Sequence, residues 1–250
     1  LKKTHDLTLD KLIELAYDPY LQGADDLITG LLEAAESKNM TTPNQKDPLN
    51  ILREWDFRVN EHSVAMTLAQ YYLDAYKASV YLNFGRRDFV SMIHYMSKES
   101  AHQERLDVFN KALDELETDF GNWDIPWGEY NRYQRINGDI VQNFNDSLPS
   151  IPIGMASGYW GALASFSTKH GENTKRTYGV SGNSFVAVVE FGDRVKAKTL
   201  LAGGQSGNPK SPHFDDQAQR YADAQFKTVA YYKEDVIKRA QSRYKPGQQP

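Results

Sequence analysis

Residues 203–217 read GGQSGNPKSPHFDDQ and concentrate the types of residue that do chemistry: paired glycines, two serines, a lysine, a histidine and two carboxylates. Two chemistries can be tested against that spacing. A phosphate-binding loop needs a glycine ahead of its Lys-Ser, so that consecutive backbone N–H groups face the phosphates. Here Pro209 precedes Lys210-Ser211 and has no N–H to offer, which argues against nucleotide binding. A nucleophile elbow needs Gly-x-Ser-x-Gly, but Gly204-Gln205-Ser206-Gly207 is closed by Asn208, which argues against Ser206 as a nucleophile. The plain structural reading is a glycine-rich exit from a strand. Ser211 then caps a helix with Pro212 at its first position and Asp215 and Asp216 near its positive end. That accounts for most of the stretch but not for Gln205 or His213.

The other candidates are weaker. His5, His62, His94, His102, His170 and His213 include no HExxH pair and no i, i+4 partner, so a helical zinc site has no support. The adjacent carboxylates Asp25-Asp26 and Asp215-Asp216 suit helix starts better than acid/base work. The aromatic segment Asn122–Arg135, NWDIPWGEYNRYQR, could stack on a glycan or a base. Its aromatics lack periodicity and net positive charge, and packing against a partner surface fits them better. Chemistry alone assembles no active site.

The elements that would carry these residues change character along the chain. Thr8 is placed as an N-cap, with Leu9, Leu12, Ile13 and Ala16 on one face and Pro19 ending the helix. Ala24–Ser37 repeats the helical period and Asn39–Pro48 reads as a loop. Helices are predicted over Ser63–Leu82, Asp88–Lys98 and His102–Phe120. From Gly121 to Gly182 the chain is rich in Gly, Pro, Asn, Ser and aromatics, with no sustained period, which suggests a segment that wraps something or builds a site. Ser184–Phe191 reads as a strand buried on both faces, Gly192-Asp193 as a turn and Lys196–Ala202 as its hairpin partner. Helices are predicted again over Asp215–Tyr232 and Lys233–Arg243. The organisation is therefore a helical layer over 1–120, a loop-rich aromatic segment over 121–182, and sheet strands with C-terminal helices of the same domain over 183–250.

Bulk properties bound the function. With 250 residues and 40% hydrophobic content the chain has ample material for a core. A net charge of −4 gives no non-specific grip on nucleic acid or an anionic membrane. Zero cysteines remove disulfides, thiolate metal sites and cysteine catalysis. No membrane span or signal peptide is visible, and Leu1 runs straight into a helical pattern, as if cut from something longer.

Residues 203–217 resemble the signature near the end of the large (beta) subunit in the penicillin amidase family, where a strand closes with Gly-Gln-Ser and Ser-Pro-His-(Phe/Tyr)-x-Asp-Gln follows. Three further stretches are similar to family elements, in the family's order. Gly179–Val189 resembles a glycine-rich entry into a buried strand, Asp124–Arg132 a Pro-Trp-Gly-Glu-x-x-Arg element, and Trp55-Asp56 the close of an early helix. The resemblance implies an α+β chain, part of an αββα N-terminal nucleophile hydrolase sandwich. In that family a precursor cleaves itself and frees a serine whose own α-amine is the base, while a backbone N–H and an asparagine stabilise the oxyanion. Those elements lie upstream of the matching stretch, so no catalytic residue and no metal ligand is assigned to this chain. Any structural calcium would be held elsewhere in the complete enzyme. The resemblance also implies a periplasmic or secreted location, N-acyl substrates such as β-lactam side chains or acyl-homoserine lactones, and partners in the remaining segments of the precursor. Gly203, Gly204, Gln205, Ser206, Gly207 and His213 are expected near the site. A second reading is a binding module that uses 122–135.

Overall fold

The computed structural model describes residues 5–37, 42–80, 88–245 and 247–248. The first half is helical, as expected. Helix α1 (Leu9–Ala16) starts at Thr8, whose Oγ accepts from the Lys11 N–H at 3.2 Å. Its apolar face is only partly covered, and none of its residues is buried. Helix α2 (Gln22–Glu36) lays Ala24, Leu27, Ile28, Leu31 and Ala35 into the core. After a 3-10 turn at Pro43–Gln45, helix α3 (Lys46–Arg53) begins earlier than the sequence suggests, and Pro48 lies inside its first turn, where a missing N–H costs nothing. The expected loop from Asn39 therefore ends by Pro43, and residues 39–41 lie outside the described set. Trp55 follows directly on α3 and anchors through Nε1 to the Arg58 carbonyl.

Helix α4 (Val64–Val80) is central, buried on nearly all sides through Met66, Leu68, Tyr72 and Tyr76; positions 81–82 of the expected helix are outside the described residues. It packs on α6 (His102–Phe120), whose C-terminus is closed by Gly121 in the left-handed region, φ 84°. Between them, α5 (Phe89–His94) continues as a π-turn over Tyr95–Glu99. That turn presses against α2 closely enough that a Cβ on Gly30 would lie 2.4 Å from the Ser97 carbonyl oxygen. Arg105, 2% exposed, ties the same junction together, donating to the carbonyls of Gly30 at 2.9 Å and Ser100 at 2.8 Å.

The second half holds two small sheets, so the chain is α+β. The aperiodic stretch from Gly121 contains more regular structure than its sequence shows. A one-turn helix α7 (Trp127–Tyr130) leads into β1 (Asn131–Tyr133), β2 (Ile151–Pro152), β3 (Phe166–His170) and β4 (Thr177–Gly182), arranged β2-β1-β4-β3. These strands are too short, and β1–β4 too unusual in being parallel, to leave a period in the sequence. Its aromatics turn inward, with Trp127 and Tyr130 buried against the helical core and Trp127 Nε1 donating to the Met155 carbonyl. A binding module would need those rings on its surface.

The hairpin of β5 (Phe185–Glu190) and β6 (Lys196–Leu201) forms as expected, with β7 (Lys227–Thr228) added in the order β5-β6-β7. Two expectations are corrected here. Residues 215–232 are not one helix, because α8 spans only Ala218–Ala222 and the chain then reverses at Ala224, φ 52°, into β7; α9 (Lys233–Arg239) follows. β5 is not buried on both faces, and it lies at the sheet's edge rather than its centre. Its even face carries Val186, which packs with β6 Leu200, and the buried Val188; this face lies beneath α1 and α8, and the Lys198 ammonium reaches Asp10. Its odd face presents Phe185 (64% exposed), Val189 and Phe191 (84% exposed).

Candidate functional site

Beyond the end of β6 the chain enters the 203–217 loop. Gly203 adopts φ 78°, and a Cβ there would fall 2.5 Å from the Tyr133 hydroxyl. A Cβ on Gly204 would lie 2.3 Å from the His213 carbonyl oxygen and 2.5 Å from that of Phe214. The paired glycines are thus where the loop crosses its own return path. Ser206 N–H donates to the His213 carbonyl at 3.0 Å, and Gln217 N–H to the Gly203 carbonyl at 2.7 Å, closing the crossing from both sides.

Within the loop the polar side chains serve the backbone. Ser206 Oγ accepts from Asn208 N–H at 3.1 Å, Asn208 Oδ1 from Lys210 N–H at 3.0 Å, and Ser211 Oγ from His213 N–H at 3.2 Å. Ser211 thus shapes a turn instead of capping a helix, since α8 starts seven residues on and its N-cap, Gln217, makes no side-chain cap. The His213 ring turns to Asp216, Nδ1 to Oδ2 at 3.0 Å, and this bond is the main reason the Asp216 carboxyl is held below its ordinary range. Ser206 and His213 therefore meet through backbone atoms, with the histidine ring engaged by a carboxylate. Gln205 and Gly207 are exposed, and Ser206 half-buried. The loop brings Gly203, Gly204, Ser206 and His213 together as architecture, without a nucleophile–base pair among them.

Two residues at the end of the 122–135 segment, which no sequence pattern connects to this loop, complete the arrangement. Arg135, just beyond β1, donates through Nη1 to the Phe214 carbonyl and, at 3.5 Å, to that of Gly204. Its guanidinium carbon sits 4.2 Å from the centroid of the Phe214 ring. Arg135 and Phe214 are 79 positions apart, and no local pattern joins them. Tyr133 backs the loop, and burial raises its hydroxyl pKa. Among the described residues no three His, Cys, Asp or Glu side chains converge as metal ligands, and no helix is long and apolar enough to cross a membrane.

The fold and the loop together describe a layered α+β piece: a helical layer, a mixed sheet, and a hairpin sheet whose last strand exits through a rigid glycine crossing. Residues 1–238 match the penicillin amidase family, and the chain belongs to it. Over 100 residues it is 33% identical to the acyl-homoserine lactone acylase PvdQ of Pseudomonas syringae pv. syringae (strain B728a). That match covers 40% of this chain and 13% of the relative.

Proposed function

We propose that this chain is the C-terminal part of the large subunit of an N-terminal-nucleophile hydrolase. In this reading the complete protein cleaves the amide of an N-acyl substrate with a serine carried outside these 250 residues. Family membership supports amide hydrolysis as the class of reaction. One structural observation carries the rest: the β5-β6-β7 sheet has helices α1 and α8 on one face and an open apolar surface of Phe185, Val189 and Phe191 on the other. A sheet stacks about 10 Å from a second sheet when its apolar face is left uncovered by helices. The proposed occupant is a sheet from the remaining segments of the same precursor, which would give the αββα sandwich.

In that assembly the nucleophilic serine uses its own α-amine as base, and fixed donors receive the charge that develops on the carbonyl oxygen. The residues of this chain supply the scaffold. The 203–217 loop, with Gly203, Gln205 and Ser206, is proposed to stand at the active-site end of the sheet and support it. Substrates are drawn from penicillins and acyl-homoserine lactones, the latter suggested by the name of the relative, and the location is periplasmic or secreted. Native mass spectrometry joined to an activity assay tests this. A complex in which this chain accompanies a polypeptide with N-terminal serine, and which releases the acyl group from a penicillin or an acyl-homoserine lactone, is expected. A stable lone 28.4 kDa monomer with no companion would refute it.

A further inference from the structure

The 203–217 loop is shaped by its own hydrogen bonds, from Ser206 to His213, Asn208 to Ser206 and Ser211 to Asn208. Those bonds set its form but do not fix where it points. Tyr133 backs the loop at Gly203 and Gly138 lies against Gly207, while the hydrogen bonds that reach the crossing from this side come from Arg135, just after β1. Its Nη1 reaches the carbonyls of Phe214 and Gly204, the two positions where the loop crosses itself, and its guanidinium lies over the Phe214 ring. Gly203 makes the seat, since a Cβ there would come within 3.4 Å of Arg135 Nη1 and 3.6 Å of its Cδ. Arg135 thus adds a polar link between the β2-β1-β4-β3 sheet and the exit of the β5-β6-β7 sheet, beside the apolar contact of Phe166 and Tyr133 with Leu200 and Tyr221.

We infer that Arg135 is the positioning residue of this loop, a clamp that sets the loop's orientation against the first sheet and couples the two sheets. A guanidinium suits the task because its flat face stacks on an aromatic while its N–H groups, lying in that plane, still donate to carbonyls. A lysine offers a point charge without the face. The clamp stands on geometry alone; only its effect on turnover rests on the acylase reading.

Hydrogen exchange on the whole protein, followed over peptides spanning 203–217, reads the clamp directly. Arg135→Ala is expected to speed exchange of the Ser206, Phe214 and Gln217 amides at least tenfold while peptides from α4 and α6 keep the parent rate. Arg135→Lys should approach the alanine variant. Phe214→Leu should show a smaller increase, and the Arg135→Ala/Phe214→Leu double variant should go little beyond Arg135→Ala, because both remove one interaction. Should Arg135→Ala fail to fold, Arg135→Lys and Phe214→Leu carry the test. Unchanged exchange in Arg135→Lys, or fully additive effects, would overturn the clamp. In the assembled hydrolase, a fall in kcat at constant KM for Arg135→Lys ties the clamp to catalysis. A loosened loop with unchanged kcat leaves the clamp in place and removes the loop from the catalytic reading.

Discussion

The helical half and the sheet half of this chain bury their apolar residues to very different extents. From Leu21 to Leu116 the buried apolar residues form one continuous cluster that draws on α2, α3, α4, α5 and α6, and it takes in Trp127, Tyr130 and Trp160 from the second half. The cluster beneath the hairpin has four buried members, Ile153, Phe166, Leu200 and Tyr221, while Phe185 and Phe191 stand open on the other side. The first region is closed on all sides, with the rings of Trp127, Tyr130 and Trp160 completing its core. The second is closed on one face, and its stability in isolation rests on far less removed surface. The contrast teaches that strand propensity alone does not say what covers a strand.

Core truncation should break the comparison most strongly. Leu31→Ala, at a fully buried site, is expected to cost about 2–5 kcal/mol, measured by denaturant unfolding. A cost below the lower figure would mean that the helical core is less closed than described. Gly30→Ala comes next. Its Cβ would meet the Ser97 backbone, not a side chain that can move away, so roughly 1–3 kcal/mol is expected, with exchange rising first in the π-turn.

Alkaline titration limits the contrast, because both halves bury tyrosines. Burial raises the hydroxyl pKa of Tyr71, Tyr72, Tyr76 and Tyr130 well above the ordinary tyrosine value, and pushes Tyr17 and Tyr178 up to about 12. A folded-state pKa above the unfolded one means that the native state holds its proton longer. The stabilisation is then complete below pH 10 and is lost as pH rises toward the folded values. Thermal melts should fall steeply above pH 10 and stay level just below it, and a flat profile to pH 12 would contradict the burial. The smallest effect on the chain itself is expected from Phe185→Asp, within about 0.5 kcal/mol because the site is exposed. In the assembled protein the same change should prevent association, as read by native mass spectrometry.

What the sequence made legible follows where local and tertiary forces agree. Helix α6 appears at the predicted His102–Phe120 bounds because its period is long and Gly121 gives a backbone-coded stop. Thr8 caps α1 as read, and the β5–β6 hairpin sits where its apolar runs are. The misses have tertiary causes. Residues 218–224 have helical composition, yet Ala224 turns at positive φ so that Phe226 can stack edge-on against Tyr17, 5.5 Å away. Ser211 looked like a helix cap but spends its hydroxyl on a turn. In the candidate site, the crossing glycines were legible as unusual, and their reason was not. For Gly204 that reason is the returning backbone at His213 and Phe214, inside the stretch itself; for Gly203 it is Tyr133 and Arg135, from β1 and the residues just after it, outside any window around 203–217.

The parallel pairing of β1 with β4 also bears on the order in which the chain can mature. Asn131 must wait for Thr177 before its strand has a parallel neighbour, while the contacts among α2, α4 and α6 all lie within the first 120 positions. During synthesis on the ribosome, the helices can therefore collapse while the residues beyond 121 are still being added. Trp127 and Tyr130 then arrive at a surface already formed, and the helical half serves as a template on which the late strands are laid down.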